Sequence, residues 1–549
     1  MSSTKKAYFL WGAATSPYQV EGDIRNNDWD YFTRSKAIVS RIRHLTKPNI
    51  FYRGTTQQNL EPAGDAMKVW EPSYYLQDFD LAAQFRLNAF RIGIEWARIE
   101  PERDSWNQEA IDHYRNMIKA MLEKGLIPII TLNHLTLPRW VLTPPSTFRN
   151  YPGQNLLPSP LRDVPLREPS KGDPFWKSLG GWESNRTVQE FVKYVERVVI
   201  ELKGLVDYWI TICEPVASII GLGYLAAFWP PGFFLDGRRA RMALHNLIEA
   251  HVRAYDKISY FDDVDADGDG IPKKVGFTHS MVAVNPARPR KILGITINDN
   301  LKAANNFSYF INDYFLNAVV LGIEDVNYLN TLQRGNEDSV DFVRHRDWKN
   351  KTDFIGVDYY RRVHIYHNYI ISSSSAKFLG GAFVNNLYLQ DNRKQSYGTL
   401  SDLGWEIYPK GMYELAIKIK KKWNKPIFIT ENGVADNLDR YRAPFIVAHL
   451  EYLKRAIDDG ADIFGYLHWS FMDNYEWLDA YNDRSRFGLF RIKRSDSGLS
   501  RQPTKGAKAF RVLIEDSFCD NNNGLVTEAG IRNAKEKFGI IDDRDSDKG

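Results

Sequence analysis

Eight short apolar stretches, each running out at a polar or aromatic residue and each followed by a longer segment, organise this 549-residue chain. They are Tyr8 to Ala14, Ala89 to Trp96, Ile127 to Asn133, Tyr208 to Cys213, Val275 to Val284, Phe354 to Tyr360, Ile427 to Thr430 and Phe464 to Trp469. Runs this short, rich in β-branched and aromatic residues, read as strands covered on both faces. Between them, Ile111 to Lys124, Val188 to Leu202, Ala240 to Tyr255 and Phe445 to Asp458 repeat apolar residues at helical spacing. Strands alternating with helices imply a parallel sheet with helices outside it. Eight such units fit a closed (β/α)8 TIM barrel better than an open doubly wound sheet, and no glycine-rich dinucleotide fingerprint favours the open form.

A barrel of this kind with insertions runs past ~400 residues as one unit, so residues 1–515 are read as a single α/β domain and residues 516–549 as a polar C-terminal tail, dispensable or mobile. The connections from Ser35 to Gly64 and from Thr143 to Gly181 are long enough to build the rim of a cleft.

Two of the strands deliver carboxylates. Lys425 to Gly433 is an apolar run that stops at Glu431-Asn432-Gly433, and the fourth strand stops at Glu214-Pro215, where proline ends regular pairing. A lone carboxylate at a strand exit is as readily a structural ion-pair partner as a reactive group. Two of them, on strands four and seven, project into one barrel mouth, where the catalytic residues of such barrels sit. One carboxyl that keeps its proton and one that is ionised are what glycoside hydrolysis requires.

Composition narrows the alternatives. The hydrophobic fraction of 43% and charged fraction of 26% are those of an ordinary globular chain, which excludes disorder for its bulk. A formal charge of +4 with acids and bases nearly balanced gives no phosphate-tracking surface, so nucleic acid is not an expected partner. The 15 Trp, 29 Tyr and 30 Phe offer platforms for the apolar face of a sugar, beside their commoner use in core packing. Cys213 and Cys519 stand alone, in no disulfide or metal-ligand pattern. With a short polar amino terminus and no apolar stretch long enough for a signal or membrane span, the expected location is the cytoplasm. The sequence leaves room for a homo-oligomer. Asp265-Ala266-Asp267-Gly268-Asp269-Gly270 imitates the start of a calcium loop, but the closing acid is replaced by Gly276, and the segment reads as a solvated acidic turn.

Seven stretches in order resemble glycoside hydrolase family 1, the β-glucosidase and β-galactosidase family, in its archaeal form. They are Phe9 to Gly22, Asn88 to Ile99, Thr131 to His134 with Pro138 to Trp140, Glu214-Pro215, Tyr359-Tyr360, Ile429 to Gly433, and Trp469 with Asp473 to Trp477. The likeness runs from Tyr8 to about Ile492. It implies a retaining exo-β-glycosidase for unphosphorylated β-D-glycosides of gluco, galacto, fuco or manno type, with no cofactor and no metal. Glu431 is then the nucleophile and Glu214 the acid/base, with Arg91 and Tyr360 supporting Glu431; Gln19, His134, Cys213, Asp358, Trp469, Glu476 and Trp477 would stand at the substrate-binding positions. Carboxyl groups ~5–5.5 Å apart are expected. The chain departs from the family at two positions, both asparagine elsewhere: Cys213, before the acid/base, and Asp358, before the tyrosine pair. These keep a catalytically weak carbohydrate-binding barrel in view as the alternative, alongside a transglycosidase.

Overall fold

The computed structural model describes residues 8–35, 61–142, 178–233, 236–287, 290–292, 295–297, 300–326, 328, 342–365, 398–496, 498–519 and 523–540. Eight strands, β1 (Leu10–Ala14), β2 (Ala89–Gly93), β3 (Ile127–Thr131), β4 (Tyr208–Cys213), β5 (Lys274–Pro286), β6 (Phe354–Ile365), β7 (Ile427–Asn432) and β8 (Ile463–Trp469), close into one barrel. Every neighbouring pair is parallel, and β1 pairs with both β2 and β8. The expected (β/α)8 barrel is what the chain forms.

The period of two along each strand gives two apolar layers. Leu10, Ala14, Ile129, Ile210, Phe354, Phe428 and Leu467 form one cluster in the barrel interior. Their sequence neighbours Trp11, Ile130, Trp209, Ile355, Ile429 and Tyr466 belong to the larger cluster under the helices. The strands approach so closely at Gly12 that a Cβ would lie 2.4 Å from the Ala89 carbonyl oxygen.

Around the strands lie α1 (Pro72–Gln84), α2 (Gln108–Glu123), α3 (Asn185–Leu202), α4 (Gly237–Phe261), α5 (Asn300–Ser308), α6 (Lys410–Lys422), α7 (Arg442–Asp458), α8 (Lys505–Ser517) and α9 (Glu528–Phe538). In α3 the buried residues Val188, Phe191, Val195, Val198, Val199 and Leu202 recur at three- and four-residue steps, one stripe facing the sheet. Side chains cap the starts of α2 and α4, where Asn107 accepts from the Ala110 amide and Asp236 from the Arg239 amide.

Several boundaries differ from the expected ones, among them the ends of β2, β5 and β6 and the tail. Strand β2 stops at Gly93 because Glu95 opens a short helical turn, Trp96–Ile99. Strands β5 and β6 run on past Val284 and Tyr360, pairing Val363 with Val284 and His364 with Asn285. After Asp516 the described residues include a docked helix: α9 is capped by Thr527, buries Ile531 and Ala534, and ties Lys535 to Glu451 of α7 at 2.6 Å. Just before it, the Gly524 carbonyl accepts from Trp11 Nε1 at 2.6 Å. A polar composition concealed the one apolar face that a docking helix needs. The two long connections fall largely on residues 36–60 and 143–177, outside the described residues.

Candidate active site

Glu214 follows β4 directly and Glu431 lies near the end of β7, so both carboxyls sit at the carboxyl-terminal mouth of the barrel. At least one oxygen of each lies within 4.8 Å of one of the other. Glu214 itself is held in the left-handed region, φ 46° and ψ 53°, an uncommon conformation for a residue with a side chain. Pro215 then starts a wide π-type helix, Pro215–Leu225, that carries Ser218 back to donate a hydrogen bond to Glu214 Oε2.

The environments of the two carboxyls are opposed. Each oxygen of Glu431 has its own donor: Arg91 Nη1 at 2.7 Å on Oε1 and Tyr360 Oη at 2.6 Å on Oε2. Burial, then the Asp358 charge, push this carboxyl above the usual carboxylate range, while Arg91 and Tyr360 pull it back and favour the charged form. Glu214 has hydroxyl partners, Ser218 and Ser280, and no cation within ion-pair distance among the described residues. Burial first, and the Asp358 charge second, push it up to about 7. Burial raises both carboxyls, and they differ in their partners: Glu431 has a guanidinium and a phenol that favour its charged form, whereas Glu214 has hydroxyls alone.

Arg91 is the hub. Its guanidinium, fully buried, donates from Nε to Thr131 Oγ1 at 2.8 Å, and Nη2 lies 3.4 Å from both His134 Nδ1 and Cys213 Sγ. Burial, reinforced by the Arg91 charge, holds His134 neutral. Cys213 Sγ also accepts from Thr278 Oγ1 at 3.2 Å, and burial pushes the thiol well up, so it remains a protonated, uncharged member of the wall. Asp358 lies beneath, 4.0 Å from Arg91 Nη1.

A cavity of about 280 Å³ opens above this floor. Of the sequence-derived candidates, His134, Cys213, Glu214, Tyr360, Glu431, Trp469, Glu476 and Trp477 line it, while Arg91 and Asp358 stand behind the lining. Trp469 is fixed by Gly433, where any Cβ would lie 1.8 Å from the Trp469 carbonyl oxygen. Trp477 is packed against Trp29 and Trp229, with ring centroids 4.6 and 5.4 Å away. Glu476 is pushed up to about 8, by burial first and then by Asp479 and Glu214. Gln19 is placed differently: its amide accepts from Ser16 Oγ at 2.6 Å, donates to the Tyr475 carbonyl at 2.6 Å, and does not line the cavity.

Sequence reading missed the other wall. Ala217 and Leu222 from the π-type helix, Met281 and Val282 from β5, and Phe307 and Phe310 make an apolar side next to Glu214. These come from three separate segments, and only the four-residue step from Glu214 to Ser218 carried a readable signal.

Two groups of side chains here have metal-binding spacing, His134 with Cys213 and Glu431, and Glu214 with Asp358 and Glu431. Arg91 contacts every member of the first and two of the second, so its charge already occupies the place a cation would take. In the acidic turn, oxygens of Asp207, Asp265 and Asp267 also converge. Asp265 accepts from the Gly268 and Gly270 amides, Asp207 from those of Ala266 and Asp267, and Asp269 pairs with Lys274 at 2.5 Å.

The sequence model for "Glycosyl hydrolase family 1" matches residues 1–150 and 175–518. A β-galactosidase of Pyrococcus woesei is 29% identical, over 94% of this chain and 97% of that protein. A 6-phospho-β-glucosidase of Bacillus subtilis is 25% identical, over 93% and 97%. Among solved structures, a β-glycosidase from Pyrococcus horikoshii superposes with a TM-score of 0.66 at 27% identity, covering 99% of each chain.

Proposed function

The chain belongs to glycosyl hydrolase family 1 and is a glycoside hydrolase, and from that premise we propose that it is a retaining exo-β-glycosidase with Glu431 as nucleophile and Glu214 as acid/base. The observation that carries this reading is the pair of carboxyls with oxygens within 4.8 Å of one another, one held by Arg91 and Tyr360 and the other by serine hydroxyls alone. Inverting enzymes hold their carboxyls ~6.5–9.5 Å apart to admit a water between them. In the first step the Glu214 proton moves to the glycosidic oxygen as the C1–O bond breaks, while a Glu431 oxygen bonds to C1 from the other face. The ester so formed cancels the Glu431 charge, which lowers the proton affinity of Glu214 and makes it a base. In the second step Glu214 takes a proton from water, the hydroxide bonds to C1, and Glu431 leaves as carboxylate. A sugar-binding barrel without chemistry would have no use for this asymmetry. Proton NMR of the first-formed sugar tests the reading: a β-glycoside should release the β-anomer, and initial release of the α-anomer rejects it.

The lining supports two finer statements. We assign His134, Trp469, Glu476 and Trp477, which line the cavity, to the sugar ring; Arg361, stacked on Trp405, is the single cation among the described lining residues. A 6-phosphate beside Glu476 would add its charge to a buried carboxyl already raised by Asp479 and Glu214, so we assign an unphosphorylated substrate, and kcat/KM on a 6-phosphoglycoside is expected well below that on its plain counterpart. Parity between them would overturn this assignment. On the leaving-group side, the apolar wall beside Glu214 favours an apolar aglycone over a second sugar. For a series of n-alkyl β-glycosides of one sugar, kcat/KM should rise about three- to fourfold per methylene while the wall is being filled, as ~0.8 kcal/mol per buried CH₂ requires. A flat series, or a disaccharide that surpasses the longer alkyl members, contradicts it.

Among the described residues no helix is long and apolar enough to cross a membrane. The two cysteines, one buried and one exposed, are free thiols, which supports assignment to the cytoplasm.

A further inference from the structure

Asp358 has no part in the displacement described above, yet it occupies the floor of the site. The β6–β7 register shifts at Val357/Asp358 so that Asp358 becomes the direct partner of Glu431. The side chain is completely buried. Its Oδ1 accepts from Thr430 Oγ1 at 2.7 Å, and its Oδ2 has no hydrogen-bond partner among the described residues. One oxygen each of Glu214, Asp358 and Glu431 lie mutually within 4.8 Å. Against three carboxyls stands one cation: among the described residues only Arg91 comes within 4.0 Å of any of them, at 2.7 Å from Glu431 and 4.0 Å from Asp358. Beyond them, Glu476 lies near enough to Glu214 to be raised by it, and is itself pushed up to about 8, first of all by burial; the remaining groups that face the cluster are uncharged. They are Thr131 and His134 on and after β3, Cys213 on β4, Thr278 and Ser280 on β5, Tyr360 on β6 and Thr430 on β7.

Resting on the glycosidase reading, we propose that Asp358 is a positioning residue that sets the pH window of catalysis: ionised, and sharing Arg91 with Glu431, it holds the proton on Glu214 and delays the ionisation of Glu431. The Coulomb interaction of like charges at this separation in a buried site is large, and it acts on both catalytic groups with the same sign. For each of them the Asp358 charge is the strongest upward influence after burial. Asp358 is itself raised by burial, and Arg91 and the Thr430 hydroxyl work in the opposite direction to keep it charged. The three carboxyls titrate as a set, so the two limbs of the profile belong to the cluster rather than to single residues.

The sign follows directly. Catalysis needs Glu431 ionised, which fixes the acid limb of kcat/KM, and Glu214 protonated, which fixes the basic limb. Removing the negative charge at position 358 lets both protons leave at lower pH, so the whole bell moves toward acid. Asp358→Asn keeps the shape of the side chain and an oxygen to accept from Thr430. Its kcat/KM profile on an aryl β-glycoside should have both limbs displaced downward by about 1 pH unit or more relative to wild type. A residue with a structural role alone would lower the height of the curve and leave its limbs in place, and that result overturns the proposal. Asp358→Ser, which also removes the charge, gives the same readout should the asparagine variant fail to fold. In the wild-type enzyme, infrared titration of protonated carboxyl bands, referenced to a Glu214→Gln/Asp358→Asn/Glu431→Gln protein that lacks the cluster, provides a further test. At the activity optimum the cluster should show one protonated carboxyl, and two would mean that Asp358 is neutral there and the idea is wrong. Failure of the glycosidase reading would look different, as hydrolysis that survives loss of Glu431.

Discussion

Replacing Glu431 with Gly is expected to lower hydrolysis of β-glycosides by about 10⁴-fold or more, because the covalent intermediate has no atom to form on. The site that remains is unusual in what it keeps. Arg91 Nη1 and Tyr360 Oη, now 2.7 and 2.6 Å from the two Glu431 oxygens, would both aim donors into the vacated space. Such a pocket binds a small anion. With an activated aryl β-glycoside, azide or formate should therefore restore turnover, and azide, attacking C1 from the face Glu431 occupied, should leave an α-glycosyl azide. A β-configured azide product, or activity within about tenfold of wild type, would show that another group is the nucleophile. The substitution also strips Arg91 of its nearest counter-charge in a fully buried position, a change that costs on the order of 3–5 kcal/mol when nothing compensates. Asp358, 4.0 Å away, is positioned to take up part of that charge, so a folded Glu431→Gly protein is expected, with a lowered melting temperature.

The strand framework and the two carboxylates were legible because they depend on local pattern. An apolar run ending in Glu-Asn-Gly or Glu-Pro announces a buried strand with something to deliver, and the barrel geometry brings strands four and seven to one mouth. What was not legible depends on register and on segments far apart in the chain. Asp358 and Glu431 become partners through a register shift between β6 and β7, which no periodicity reveals. Gln19 was expected at the sugar by resemblance, but it is engaged by Ser16 and the Tyr475 carbonyl, a contact across 456 residues. The apolar wall beside Glu214 draws on the π-type helix after Glu214, β5, and α5 with the short π-type segment Tyr309–Asp313 after it, and each contributes residues that would read as ordinary core. Helix α9 was hidden by composition, since two or three buried positions per helix suffice to dock it.

These placements make the site a single electrostatic unit rather than a pair of residues. Arg91 touches Glu431, His134 and Cys213 and approaches Asp358, so its one charge is shared among groups that differ in their demand for it. His134 and Cys213 stay neutral, and the charge is left for carboxylates. Glu214 is outside Arg91's ion-pair reach, so burial, with the Asp358 charge after it, raises its hold on a proton with no close cation to oppose them.

That separation of roles gives the second large effect, in Glu214→Ala. Loss of the proton donor should depend on how much help the leaving group needs. For a dinitrophenyl glycoside, whose leaving oxygen departs without protonation, the first step should be nearly unchanged. For an alkyl glycoside it should fall by about 10²- to 10⁴-fold, the usual worth of positioned general-acid catalysis. The second step also slows, because no base deprotonates water, so the glycosyl-enzyme on Glu431 should accumulate and be visible by intact mass spectrometry. Azide needs no deprotonation, and it should relieve that block by attacking C1 from the Glu214 side to give a β-glycosyl azide, the opposite anomer from that expected of Glu431→Gly. The basic limb of the activated-substrate profile should vanish as well, since the group pushed up to about 7 is gone and the pH dependence left is the ionisation of Glu431. A uniform loss across leaving groups, with no azide product, would remove Glu214 from the acid/base role and leave it as part of the wall that shapes the leaving-group pocket.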